Sequence, residues 1–270
     1  MIQARLFFAL TPLLVLIGTA ASAQAQISKF GYKPDKITTG VVYHYLKSNI
    51  DGTNSGEVSL YVKDKDTLES LKWHKGDSRA TLVIADIDWE NRFSVKHFET
   101  WLLTADGEPQ QRAVLDFDAD IPGVTAKVGE MEFRAEVKNW YWHSYDFDFA
   151  SLNFAWRHLV NPEDQLVIGI VDVVRKEDGP TLAEKGSVQI DYQQDTTRNG
   201  HECREYKIDG PGLENKGGTI WVRKSDGVFV DYEIELPDEP GYESGKMLLK
   251  SEEQMTNEEW EEFKRKCVGQ

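Results

Sequence analysis

The chain has only two cysteines, far fewer basic than acidic residues, no metalloprotease or serine-hydrolase signature, and no long apolar run beyond residue 17. Each shortage removes a class of function. A helix needs about 20 apolar residues to cross a bilayer, so nothing after the N-terminus is expected to span a membrane. With 31 basic against 46 acidic residues, the net charge of −15 repels phosphate backbones and anionic lipid surfaces. Nucleic acid is therefore not an expected partner. The six histidines contain neither H-E-x-x-H nor another close pair, and no G-x-S-x-G elbow occurs. Asp116, Asp118 and Asp120 begin like a calcium loop, but Ile121 stands where glycine is required and Lys127 where glutamate belongs. No metal, cofactor or catalytic residue is expected.

What is present starts with an address. Residues 1–25 carry one basic residue, Arg5, then an apolar stretch from Leu6 to Ile17, then small residues around Ala21-Ser22-Ala23. That order predicts a cleavable signal peptide and a periplasmic protein, with residues 26–270 as a single domain. In an oxidising compartment Cys203 and Cys267 are expected to form a disulfide, which would contribute about 4 kcal/mol by closing a loop of about 65 residues.

Period-two alternation recurs through the rest. Val58, Leu60 and Val62 share one face, as do Ala113, Leu115, Phe117, Ala119 and Ile121, then Met131, Phe133, Ala135 and Val137. The row Val228, Val230, Tyr232, Ile234 and Leu236 has Asp231, Glu233 and Glu235 on its reverse. Such rows are half-buried strands. Asp51-Gly52, Asp106-Gly107, Asn199-Gly200 and Asp226-Gly227 suit hairpin turns. The expected fold is mainly β: about ten to thirteen antiparallel strands curved into an open or half barrel around one or two helices, with a C-terminal helix. Thr256 and Glu259 make a capping box for that last helix, whose Trp260, Phe263 and Cys267 form its docking stripe.

Residues 139–156, NWYWHSYDFDFASLNFAW, pack eight aromatic side chains into eighteen positions. Continuing the strand from Met131 puts Tyr141, His143 and Tyr145 on the buried face and Trp140 and Trp142 where charges stood before. Either a bulge near Lys138 swaps the faces, or something beyond the sheet covers the two indoles. Asp148 is the expected N-cap of a helix carrying Leu152, Ala155, Trp156 and Leu159, ended by Asn161-Pro162. His143 and Ser144 are strand neighbours and point apart, so they do not make a nucleophile and its base.

The mature chain resembles a family of exported bacterial proteins described only as a domain of unknown function. The likeness lies in D-F-A-S-L at Asp148 to Leu152, in the helix ending near Asn161-Pro162, and in G-G-T-I-W-V-R-K-S-D-G-V-F-V-D-Y-E-I-E-L-P at Gly217 to Pro237. That family looks similar in architecture to the periplasmic lipoprotein carriers, in which a curved sheet wraps helices around an apolar hollow. The resemblance implies a protein that holds a lipid-like or other apolar small molecule, and it supplies no catalytic residues.

Three readings of the aromatic stretch stay open. It is core between sheet and helix; or Trp140, Trp142, Phe154 and Trp156 line the mouth of a ligand hollow, with His97 and Trp101 as further candidates; or its tryptophans stack sugar rings in a glycan-binding protein or glycan-acting enzyme with paired carboxylates. His97 shares its strand face with Glu99, Trp101 and Leu103, and by strict alternation with Phe93 and Val95. It either orients a polar group in a cavity or sits on a bulged, wet stretch.

Overall fold

The computed structural model describes residues 29–118, 122–176, 179–237 and 241–269. The expected signal peptide lies outside these residues, as do Ala119, Asp120 and Ile121. The first half of the chain is a meander: β1 Val41–Ser48, β2 Gly56–Val62, β3 Thr67–Trp73, β4 Arg79–Asp88, β5 Ser94–Thr104, β6 Gln110–Asp118, β7 Gly123–Val128 and β8 Met131–Glu136. The second half runs β9 Trp142–His143, α1 Ala150–Ala155, β10 Leu166–Lys176, β11 Gly179–Arg198, β12 His201–Asp209, β13 Gly218–Arg223, β14 Phe229–Ile234, β15 Gly245–Gln254 and α2 Asn257–Val268. Among the described residues fifteen strands join one sheet in the order β8 to β1, then β15 to β9, so β1 and β15 meet in its middle. The sheet is curved, antiparallel apart from a two-residue parallel pairing of β9 with β10, and not closed into a barrel. It does curl far enough for β8 to pack beside β11.

Alternation explains the curl. One face buries Tyr45, Leu60 and Leu115 from the first half together with Ile168, Ile190, Ile220 and Ile234 from the second, all in a single cluster with Leu152 and Phe154 of α1. A sheet whose two halves pack on the same short helix has to bend around it. Asn153 fixes that helix: its Nδ2 donates to Tyr45 Oη at 3.0 Å, and its Oδ1 accepts from the Phe229 backbone N at 2.9 Å. The turn at Asn199-Gly200 has φ of 49° and 79°, the backbone of a two-residue hairpin with both central residues left-handed.

The opposite, convex face carries α2. Trp260 is buried there against Tyr61, ring centroids 5.0 Å apart, in a cluster with Val42, Leu71 and Leu82. The capping box forms as expected: Glu259 N donates to Thr256 Oγ1 at 3.2 Å, and Thr256 N to Glu259 Oε2 at 2.8 Å. Glu69 of β3, wholly buried, anchors the helix by accepting from Trp260 Nε1 at 2.7 Å and Lys264 Nζ at 2.9 Å. Burial pushes the Glu69 carboxyl up, but Lys264 and Lys63 outweigh it and hold the group below the usual carboxylate range. Thr256→Ala should lower the unfolding free energy by about 1 kcal/mol, read from the urea midpoint. A change under a few tenths would mean that α2 needs no cap.

Several expectations are corrected. Cys203 and Cys267 are both free and buried. Because α2 docks over β1 to β4, while Cys203 sits in β12 with β13, β14 and β15 intervening, the gap from β12 even to β1 is four strand spacings, roughly 19 Å. A disulfide needs Cα atoms within about 7 Å. Burial pushes the Cys267 thiol up to about 12, so it is an inert core group. Neither a bulge nor a continuous strand explains residues 137–145. The chain leaves the sheet after Glu136 and rejoins it as β9 at the far margin, so face parity is not carried across. Bulges break two further rows. Lys96 is the extra residue between Val95 and His97, which pair with Ile87 and Asp86, and Val230 the extra one between Phe229 and Asp231. Asp231, expected on a wet face, is wholly buried and held by Arg198 at 2.6 and 2.8 Å.

Candidate functional site

The aromatic stretch supplies both packing and the wall of an opening. Trp142 is wholly buried and stacks on Phe117 with centroids 6.2 Å apart. Trp156 meets Tyr206 and Phe229 edge to face at 4.8 and 5.5 Å, and Tyr43 lies 5.9 Å from Phe154. Trp142, Phe154 and Trp156 are thus part of the packed core around α1. Phe147 turns the other way. With Phe98, 5.9 Å away, it borders a cavity of about 200 Å³ between the inner faces of β4 to β7 and strands β10 and β11. Val83, Leu115, Val171, Val173 and Leu182 line it, and Lys72, Asp146 and Asp172 stand among the lining groups. Val173 is 46 % exposed, which makes the cavity open rather than sealed.

Beside this cavity the turn into α1 holds a buried ionic cluster. Asp148 is wholly buried, with Lys47 Nζ 2.7 Å from one carboxylate oxygen and Lys72 Nζ 2.6 Å from the other. Burial pushes its carboxyl up, but the two ammonium groups more than reverse this and hold it below the ordinary value. The expected N-cap role is thereby corrected. Asp148 makes no bond to the first turn, and Phe149 stands at the cap position with no side-chain hydrogen bond. Asp148 and Phe149 both have left-handed φ, 52° and 51°, a conformation costly for side chains other than Asn or Asp. The rest of the turn is tied down as well. Ser144 Oγ donates to Asp172 at 2.7 Å and accepts from Phe147 N at 3.1 Å, and Asp146 accepts from Val173 N at 3.3 Å. Ser144 thus serves as a brace for the cavity wall. The Nδ1 of His143 shares a hydrogen bond with Ser151 Oγ at 2.8 Å, and both side chains are buried in the core.

The structure does not gather the six sequence candidates into one place. Trp142, Phe154 and Trp156 lie inside. Trp140 is 53 % exposed at the sheet margin, stacked on the Arg92 guanidinium at 4.3 Å, and borders a separate cleft of about 620 Å³ with Lys29, Asn139 and Gln165. His97 and Trp101 are on the convex face, because the bulge at Lys96 turns His97 away from Val95. His97 contacts Asp116 at 2.7 Å; Trp101 borders the groove beside α2. Of the two readings of His97, the bulged stretch is the one observed. Among the described residues no group of three or more His, Cys, Asp or Glu could hold a metal ion, and no helix is long and apolar enough to cross a membrane.

No family model matches the chain, and no curated protein does. Among solved structures it is similar to a "putative outer membrane lipoprotein-sorting protein domain" from Vibrio parahaemolyticus. The two are 11% identical over 85% of this chain and 91% of that one, with a TM-score of 0.30.

The residues that reasoning from sequence missed are Lys47, Lys72 and the cavity wall. Leu115 belongs to an alternating row, so its inward direction was readable, whereas the bulge at Lys96 hid that of Phe98. The lysines were hidden too. A basic residue on an alternating strand reads as outward unless its distant carboxylate is known, and Asp148 is about a hundred residues away from Lys47.

Proposed function

We propose that this is an exported binding protein whose hollow receives the end of an apolar or amphipathic molecule, and that it performs no chemistry on it. The observation carrying this reading is the open cavity walled by Val83, Phe98, Leu115, Val171 and Leu182, with a lysine among its lining groups. At about 200 Å³ it is below the roughly 300–1,000 Å³ of sites for drug-sized ligands, so it suits one chain end rather than a whole lipid. Lys72 offers the polar end of an amphiphile a charged neighbour. The signal peptide expected at residues 1–25 is what supports export to the periplasm.

The test is titration with the neutral fluorophore N-phenyl-1-naphthylamine and its displacement by dodecanoate. Filling the cavity with Val83→Trp or Leu182→Trp should weaken both at least tenfold, a loss of about 1.4 kcal/mol, in protein whose circular dichroism is unchanged. Undiminished binding in both variants would remove the hollow as the site.

Trp140 supports a second reading, the sugar platform. Its indole is more than half exposed, backed by Arg92, and faces a cleft with the amides of Asn139 and Gln165. Ring stacking on an exposed indole with neighbouring amide groups is the chemistry of glycan recognition. Soluble peptidoglycan fragments should then quench tryptophan fluorescence in the wild type and leave Trp140→Ala unchanged. Equal quenching in both would end that reading.

A further inference from the structure

The C-terminal end of α1 faces a concentration of positive charge that the acidic composition conceals. The 3-10 turn Trp156–His158 follows α1 directly. It borders a cavity of about 190 Å³ whose lining includes Lys33, Lys36, Arg157, Arg204, Arg223 and Lys224, with Asp226 as its carboxylate. Six cations around one small cavity, in a chain of net charge −15, is the reverse of what random placement would give.

Three carboxylates account for two of the six. Arg223 is paired with Asp226 at 2.6 Å and with Glu252, and Lys224 with Asp195. Lys33 spends its ammonium on the Leu159 carbonyl at 2.6 Å. Lys36, Arg157 and Arg204 make no ion pair among the described residues. Arg157 is the most telling. It is 6 % exposed, lies with its guanidinium 4.6 Å from the Phe154 ring centre, and donates from Nη1 to the Lys36 carbonyl at 3.2 Å. It also lies within hydrogen-bonding reach of the Tyr43 hydroxyl. Its Nε and Nη2 nonetheless remain buried without a hydrogen-bond partner, as does Nε of Arg204. Buried guanidinium N–H groups left unsatisfied are costly; both arginines line the cavity, where an oxyanion would supply acceptors to guanidinium groups.

We propose that this cavity is a phosphate-binding site, taking inorganic phosphate or the phosphate of an ester. Donors with no ion-pair partner converge on it from three segments of chain: Lys36 before β1, Arg157 after α1 and Arg204 on β12. Such convergence suits a tetrahedral dianion better than a planar carboxylate, which two donors from one arginine would satisfy. The site shares no lining residue with the apolar cavity, and it stands or falls independently of ligand uptake there.

The experiment is titration calorimetry with inorganic phosphate, with glycerol 3-phosphate, and with vesicles containing phosphatidic acid, against chloride at matched ionic strength. Wild-type protein should bind one phosphate group per chain. Arg157→Met should abolish binding, and the Lys36→Gln/Arg204→Gln double variant, at partly exposed positions, should weaken it at least tenfold. Binding of the two soluble ligands identifies a free phosphate or phosphoester site. Binding of the vesicles alone, lost in the same variants, identifies a lipid headgroup. Should Arg157→Met fail to fold, the double variant carries the test. No saturable binding of any of the three, or binding unchanged in the double variant, overturns the proposal.

Discussion

Asp148→Asn is expected to destabilise the protein by about 3–5 kcal/mol, the usual cost of removing one partner from a buried ionic cluster. The change is small in shape, and asparagine tolerates the left-handed backbone that Asp148 adopts. What it removes is the charge that holds Lys47 and Lys72, whose side chains are 3 % and 21 % exposed. Two ammonium groups would then repel each other beside an apolar cavity. A Lys47→Met/Asp148→Asn/Lys72→Met variant should recover most of the loss, since replacing a whole buried cluster by apolar groups is often neutral. Urea denaturation of the two variants distinguishes the cases. If Asp148→Asn costs less than about 1 kcal/mol, solvent reaches the cluster and it is not the clamp of the α1 turn.

That clamp also shows which kind of information was legible. Alternation depends on one strand at a time, so the inner rows at Val58 to Val62 and at Ala113 to Phe117 were readable, and with them the curved sheet. The capping box was readable for the same reason, because its two members are three residues apart. Bulges were not: the extra residues Lys96 and Val230 have side chains that any strand accepts, and only the partner strand reveals the slip. Pairing between the halves was equally hidden. Whether α2 would lie over β1 to β4 or over β12 decided the fate of Cys203 and Cys267, and nothing in their spacing chooses between those positions. The aromatic stretch was ambiguous because one segment does several jobs. Trp142 and Trp156 pack, Phe147 borders a cavity, and Trp140 is left in solvent.

Charge behaved similarly. A net −15 argues correctly about the average surface, yet it is silent on the cavity that collects Lys33, Lys36, Arg157 and Arg204 from separate parts of the chain. The interior cluster around Asp148 and that cavity lie at opposite ends of α1, a helix of six residues and so about 9 Å long. The short helix is held at its start by the Asp148 cluster and in its middle by Asn153. It is the natural centre from which either cavity would be disturbed.

Mild acid should unfold the protein earlier than its carboxylates alone would. His143 and His158 are both wholly buried. Burial alone pushes His143 down to about 3; burial, helped by the charges of Arg157 and Lys33, pushes His158 down to about 4. In the unfolded chain each titrates near 6.5. The unfolded state therefore binds protons first, and the stability that depends on neutral imidazoles is complete above about pH 6.5, then lost as pH falls toward the folded values. Between about pH 7 and pH 5 each histidine should forfeit about 2 kcal/mol. Asp231 opposes them. Burial raises its carboxyl to about 6 despite Arg198, so the folded state takes up that proton first and recovers about 1 kcal/mol over the same interval. The net expectation is a loss of about 2–3 kcal/mol, measured as the shift in urea midpoint at constant m. In a His143→Asn/His158→Asn variant, where the amide oxygen can stand in for Nδ1, the slope should reverse sign, because Asp231 then outweighs the depressed carboxylates, which titrate mostly below about pH 5. An unchanged slope in that variant would mean that both imidazoles already titrate in contact with solvent.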